Sequence, residues 1–266
     1  VVRSRGQQEF AVDCASVLKE LEKAGTAPNR KTLAACGVKG TSYGVPESTL
    51  AALGKKIGRD HALAQELWKS GNHDARMLAT LVADPKQLNA AAVDRWARDA
   101  GNGPMAEAAA RIAAQAAAIN AGVKFADAKR WSDSPDEWIG TLGWTMIRVL
   151  AEQGVLPEKD SIAALDRIER GIATAKNRTR HAMNLALIAI GTHFPSLRDR
   201  SLGIAEKVGK VEVDLGKPGD ATPDAHAAIL KGKGGKAKAG GAKKAATNGK
   251  KPEATTTVKK KTAAAR

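Results

Sequence analysis

Between Ser42 and Pro85 three short helical patterns follow one another with almost no loop between them, and few architectures can accommodate that. Pro46 fits the first helical position, where its missing N–H costs nothing; Leu50, Leu53, Gly54 and Ile57 then recur on one face while Lys55, Lys56 and Arg59 stay outside. Leu63, Ala64, Leu67 and Trp68 form the stripe of a second helix, which Ser70-Gly71 ends. Ala75, Leu78, Ala79 and Val82 form that of a third, with Asn72 as its N-cap. Helices this short are marginal alone in water, so each must bury its stripe against a neighbour, and tight links favour antiparallel neighbours. The expected product is a stacked helical array.

The rest of the chain repeats the theme. Phe10, Cys14, Val17, Leu18 and Leu21 predict a helix closed by Gly25, and Pro28 opens a short one through Cys36. Leu88, Ala92, Val93 and Trp96 make a stripe stopped at Gly101-Asn102-Gly103-Pro104, and Met105 to Asn120 is an alanine-rich helix. Ser134-Pro135-Asp136-Glu137 reads as a capping box in which the serine caps a helix carrying Ile139, Leu142, Gly143, Met146 and Leu150. Trp131 leading into that helix echoes Trp68 leading into Asn72, a loose internal repeat. Pro157 opens a helix with Ile162, Leu165 and Ile168 inward; Asn177 to Gly191 begins with a basic cluster and ends apolar all round; Pro195 starts the last long helix, through about Val208. Aromatics are only 3% of the chain, which suits closely packed helices better than sheets. Val211 to Leu215 is the sole candidate strand. The fold class is therefore all-α: one α-solenoid over residues 1–230, followed at 231–266 by a Lys/Ala/Gly-rich tail whose composition predicts disorder.

Charge is unevenly placed. Of the net +15, the tail from Lys231 onward holds +11, eleven lysines and Arg266 against Glu253, so the body is only mildly basic and any phosphate-binding groove in it must come from local clustering. Cys14 and Cys36 have neither CxxC nor metal spacing and read as reduced, buried thiols. No apolar run approaches the roughly 18 to 20 residues needed to span a bilayer. The start, VVRSRGQQEF, has no signal-peptide core and no initiator Met, so the expectation is a trimmed N-terminus on a cytoplasmic, monomeric protein, nucleoid-associated if bacterial.

Three motifs in the opening stretch go beyond periodicity: Tyr43-Gly44-Val45-Pro46, Leu67-Trp68-Lys69-Ser70-Gly71 and His73-Asp74-Ala75-Arg76. Together they resemble the DNA alkylation repair family of HEAT-like repeat DNA glycosylases. The resemblance implies a HEAT-like superhelix whose second helices line a concave face, and excision of cationic alkylated purines from double-stranded DNA with no metal and no cofactor. It also implies an aspartate preceded by tryptophan, an arginine and a second tryptophan at the cleft, where a carboxylate stabilises the oxocarbenium-like charge of the departing sugar. This sequence departs at each point. After Trp96-Ala97-Arg98-Asp99 only Glu107 falls near the expected acid; Thr141 stands at the arginine, before Leu142-Gly143-Trp144, and Leu185 at the second tryptophan. Glu107 is the only candidate catalytic residue.

Candidate DNA-binding residues are Arg76, Lys129, Arg130, Arg178, Arg180 and His181, expected near the starts of second helices where free N–H groups also attract anions. In the tail they are Lys243, Lys244, Lys250, Lys251, Lys259, Lys260 and Lys261. The five histidines are scattered without paired-ligand spacing, and no phosphate-binding glycine loop follows a strand, so no metal site is assigned. The leading expectation is a DNA-binding protein with a degenerate glycosylase cleft. The alternatives are an active glycosylase using Glu107 or another acid in a rearranged site, and a scaffold that takes a protein partner on the same concave surface.

Overall fold

The computed structural model describes residues 13–216 and 221–232; Phe10 and the tail lysines named above lie outside them. Among the described residues thirteen α-helices form: α1 (Cys14–Ala24), α2 (Ala27–Ala35), α3 (Glu47–Ile57), α4 (His61–Lys69), α5 (His73–Val82), α6 (Ala90–Asp99), α7 (Gly103–Ala118), α8 (Phe125–Ser132), α9 (Glu137–Glu152), α10 (Glu158–Gly171), α11 (Asn177–His193), α12 (Arg198–Val208) and α13 (Ala225–Lys231). A single 3-10 turn at Pro195–Leu197 leads into α12. Most starts carry a side-chain cap: Asp13, Thr26, Asp60, Asn72, Asn89, Asn102 and Asp224 each accept a hydrogen bond from an N–H of the following turn.

From α4 onward the helices pair as α4/α5, α6/α7, α8/α9, α10/α11 and α12/α13. The second helices pack on one another at every step, α5 on α7, α7 on α9, α9 on α11 and α11 on α13. Small residues permit this. α7 buries Ala106, Ala109, Ala110, Ala113, Ala114 and Ala117, and α9 presents Gly143, where an added Cβ would lie 2.1 Å from the Ser132 backbone nitrogen of α8. The first helices stand further apart and are bridged by long side chains. Trp68 of α4 stacks on Trp96 of α6 at 4.3 Å, Trp131 of α8 donates its indole N–H to Asp94 of α6, and Arg167 of α10 pairs with Asp133 after α8 at 2.6 Å. Lys207 of α12 pairs with Glu169 of α10 at 2.8 Å. A stack held closely along its second helices and loosely along its first curves with the second helices inside.

The structure corrects four local expectations. Asp136, not Ser134, caps α9: its Oδ1 accepts from both Trp138 N at 2.9 Å and Ile139 N at 3.0 Å. Pro46 is the N-cap of α3 rather than its first helical residue. Leu165 and Ile168 of α10 are buried as expected, but Ile162 is 37% exposed, and Ser161 takes the buried position of the first turn in its place. No strand forms among the described residues, and Val211 to Leu215 is an extended strap instead. Its alternation is genuine, with Val211 buried and Val213 packed against the core, but its backbone pairs with a side chain: Asn177 Nδ2 donates to Asp214 O at 2.6 Å and Asp214 N donates to Asn177 Oδ1 at 2.8 Å. The strap continues to Gly216, where an added Cβ would lie 2.5 Å from Ala35 O, so the chain crosses from the start of α11 to the end of α2. No helix is long and apolar enough to cross a membrane among the described residues.

Candidate nucleic-acid interface

The motif residues of the opening stretch are spent on architecture. Asp74, 1% exposed in the first turn of α5, accepts from Ser42 Oγ at 2.9 Å, Tyr43 N at 2.6 Å, Gly44 N at 3.1 Å and Val45 N at 3.0 Å. Gly44 has φ +75°, a conformation that L side chains rarely adopt, and so turns its N–H toward that carboxylate. Arg76, two residues on, lies 5.3 Å over the Trp68 ring and donates from Nε to Trp68 O at 3.2 Å and from Nη1 to Asp99 O at 3.0 Å. These are carbonyls at the ends of α4 and α6 that have no partner within their own helices. Trp68 Nε1 meanwhile donates to Asp99 Oδ2 at 2.9 Å. Arg130 repeats the arrangement one step along, over Trp131 at 5.2 Å and paired with Asp94 and Asp127, each at 3.2 Å.

The expected alignment at the starts of second helices is corrected for two residues. Lys129 and Arg130 sit in the last turn of α8, a first helix, and Lys129 pairs with Asp133 at 2.9 Å. Arg178, Arg180 and His181 do open α11, but each is partly engaged by the protein itself, although Arg180 Nε is buried without a partner among the described residues. Arg178 N donates to Glu137 Oε1 at 2.7 Å, and its Nη2 donates to Leu215 O of the strap at 2.7 Å. Arg180 donates from Nη2 to Ala175 O at 2.9 Å and lines a hollow of about 340 Å³ with Glu169, Lys207 and Lys210. His181 Nδ1 lies 3.0 Å from Thr222 Oγ1, and burial, reinforced by the Arg178 and Arg148 guanidiniums, holds its pKa down at about 4. The ring is therefore neutral at neutral pH. A helix start that faced solvent in the sequence is covered by the strap.

Glu107 is half-buried on α7, one turn before Arg111, whose Nη2 is 3.5 Å from its carboxylate. Both line a hollow of about 280 Å³ between α2, α3, α5 and α7, together with Glu47, His73 and Met77. No tryptophan borders it. Thr141 is 1% exposed inside α9 with no partner for its hydroxyl among the described residues, and Leu185 is half-buried on α11. No group of three or more metal-ligating side chains occurs among the described residues.

Cations do gather on the edge where first helices end and second helices begin. The last turns of α4, α6, α8, α10 and α12 carry Lys69, Arg98, Lys129 with Arg130, Arg170 and Lys207. Arg167, Arg170 and Lys176, around the turn between α10 and α11, were not singled out from the sequence. Their signal was three basic residues flanking one predicted turn, and it competed with the denser cluster that follows at 178–181.

A family model described as DNA alkylation repair enzyme matches residues 17–205. An uncharacterized protein of Listeria innocua is 29% identical over 185 residues, 67% of this chain and 77% of that protein. One of Listeria monocytogenes is 28% identical over 180 residues, again 67% of this chain and 77% of that protein. A solved structure, from a family described as related to the HEAT-like repeat DNA glycosylases with affinity for branched DNA structures, superimposes with a TM-score of 0.72 at 26% identity, over 83% of this chain and 93% of its own. The paired helices, the inner row and the motif stretch thus have one explanation: this chain is a HEAT-like repeat protein and belongs to the DNA alkylation repair enzyme family.

Proposed function

We propose that this protein binds DNA, with preference for branched over linear duplex, and that its glycosylase cleft is degenerate. The observation that carries the reading is the likeness to the solved relative with affinity for branched DNA, which extends over 93% of that chain. The cleft chemistry supports the second half. Thr141 and Leu185 stand where the family resemblance puts an arginine and a tryptophan, and Glu107 faces Arg111 in a hollow without an indole wall. Each preorganised charge or donor of such a cleft is worth about 3 kcal/mol of transition-state stabilisation, so losing several together leaves little catalysis. Nonspecific attraction comes from the cationic tail, through Lys243, Lys244, Lys250, Lys251, Lys259, Lys260 and Lys261, because every phosphate neutralised releases a counterion.

The test is release of free base from DNA containing N7-methylguanine by the purified full chain. Release indistinguishable from spontaneous depurination is the expected result. Protein-dependent release that disappears in Glu107→Ala would contradict it and make Glu107 the catalytic acid.

A further inference from the structure

The turn between α8 and α9 and the turn between α10 and α11 lie side by side on the cationic edge, and they enclose an open cleft of about 500 Å³. Arg170 and Lys176 line it, their side chains make no ion pair or hydrogen bond among the described residues, and both are exposed. Arg167 lines it too and is rigidly held, paired with Asp133 at 2.6 Å, donating to Ser132 Oγ at 2.8 Å and lying 4.6 Å over the Trp144 ring. Asp133 is the only carboxylate in the lining, and Lys129 at 2.9 Å neutralises it a second time. Ser134 Oγ accepts from Asp136 N at 3.2 Å, which leaves its own hydrogen to donate. α11, seventeen residues long, begins at the cleft wall, but the Glu137 carboxylate accepts from Arg178 N in its first turn at 2.7 Å and offsets the helix dipole, so the field in the cleft comes from the side chains.

We propose that this cleft seats a phosphate of the nucleic-acid backbone, gripped by Arg170 and Lys176 and oriented by the fixed Arg167 guanidinium. The proposal rests on the DNA-binding reading above. The ligand class follows from the lining: three cations on one side, one doubly neutralised acid, and the Ser134 hydroxyl as a donor close by, in a space large enough for a phosphate with its sugar. It also moves the phosphate contact away from Arg178, whose guanidinium the strap already holds. A free phosphate shares the same chemistry, and the experiment separates the two sources.

Full-length protein is titrated with a four-way DNA junction and with a linear duplex across a salt series, as wild type, as Arg170→Ala/Lys176→Ala, and as Lys19→Ala/Lys23→Ala. The last pair removes two exposed charges from α1, far from the cleft in sequence. The cleft variant is expected to lose about tenfold in affinity and to flatten the slope of log K against log salt by about 0.9 per lost phosphate, while the α1 variant loses much less. Arg170→Lys/Lys176→Arg should restore most of the binding. Equal losses in both Ala pairs would overturn the cleft as a phosphate seat and leave the DNA reading standing. Wild type that binds no DNA at low salt, with hydrogen exchange at 132–135 and 170–179 slowed by inorganic phosphate, would keep the cleft as a phosphate site and overturn the nucleic-acid source. No DNA binding and no phosphate protection would overturn both.

Discussion

Asp74 organises the Ser42–Val45 segment by collecting four donors on one buried carboxylate, of which only Gly44 N has a second acceptor, Ser42 Oγ at 3.0 Å. Asp74→Ala should therefore destabilise the protein by about 3 kcal/mol, the cost of leaving several buried donors unpaired, measured by urea denaturation. His181 gives a residue-level pH dependence. Its pKa is about 4 in the folded protein, against 6.5 unperturbed, through burial first and then the facing Arg178 and Arg148 charges. The unfolded chain binds the extra proton between those two values, so the contribution is fully present above 6.5 and is lost as pH falls toward 4. A full shift would be worth about 3 kcal/mol, and partial exposure reduces it to about 1 to 2 kcal/mol. Buried His73, also held below its ordinary range chiefly by desolvation, acts in the same direction. Stability measured from pH 7 to pH 4 should fall less steeply in His181→Gln than in wild type; parallel curves would show that the ring titrates freely when folded.

Among the elements, α8 and α9 meet in a close backbone approach. A Cβ at Gly143 would meet Ser132 N at 2.1 Å and Trp131 C at 2.6 Å, backbone atoms that cannot rotate away. Gly143→Ala should cost about 3 kcal/mol by pushing α8 off α9, whereas Gly203→Ala in α12, with nothing within 4 Å, should stabilise by about 0.5 to 1 kcal/mol; thermal unfolding of both reads the difference. The helices themselves were legible because short apolar stripes and punctuating Gly, Pro and Asn are local signals. Faces and ends were less so. Ile162 turned outward because Ser161, which bonds Pro157 O at 3.3 Å, could take the buried position without an unsatisfied hydroxyl. The seven-residue α13 is too short to show a stripe of its own, and it forms against α11 and α12. In the candidate site, the basic cluster at 178–181 was visible as composition, but its cover by a strap thirty-odd residues later was not, because Asn177 holding Asp214 is a nonlocal pairing with no periodicity to announce it.

At the scale of the whole molecule, the second helices close up through alanine and glycine while the first helices are propped apart by Trp, Arg and Asp bridges. The same residue choice therefore sets the curvature and leaves the cations of the last turns along one edge. On the proposed reading there are two sources of DNA affinity, the tail with +11 of the net +15 charge and that edge of the body. The tail acts on any phosphate backbone and cannot tell a junction from a duplex, so it contributes nearly equally to both. The ratio of the two affinities isolates what the folded body recognises. The direct measurement is the equilibrium affinity of the full chain for a four-way junction and for a linear duplex of the same sequence at one fixed salt concentration. The account predicts tighter binding to the junction, by about tenfold or more; equal affinities, or no binding to either at low salt, would contradict it.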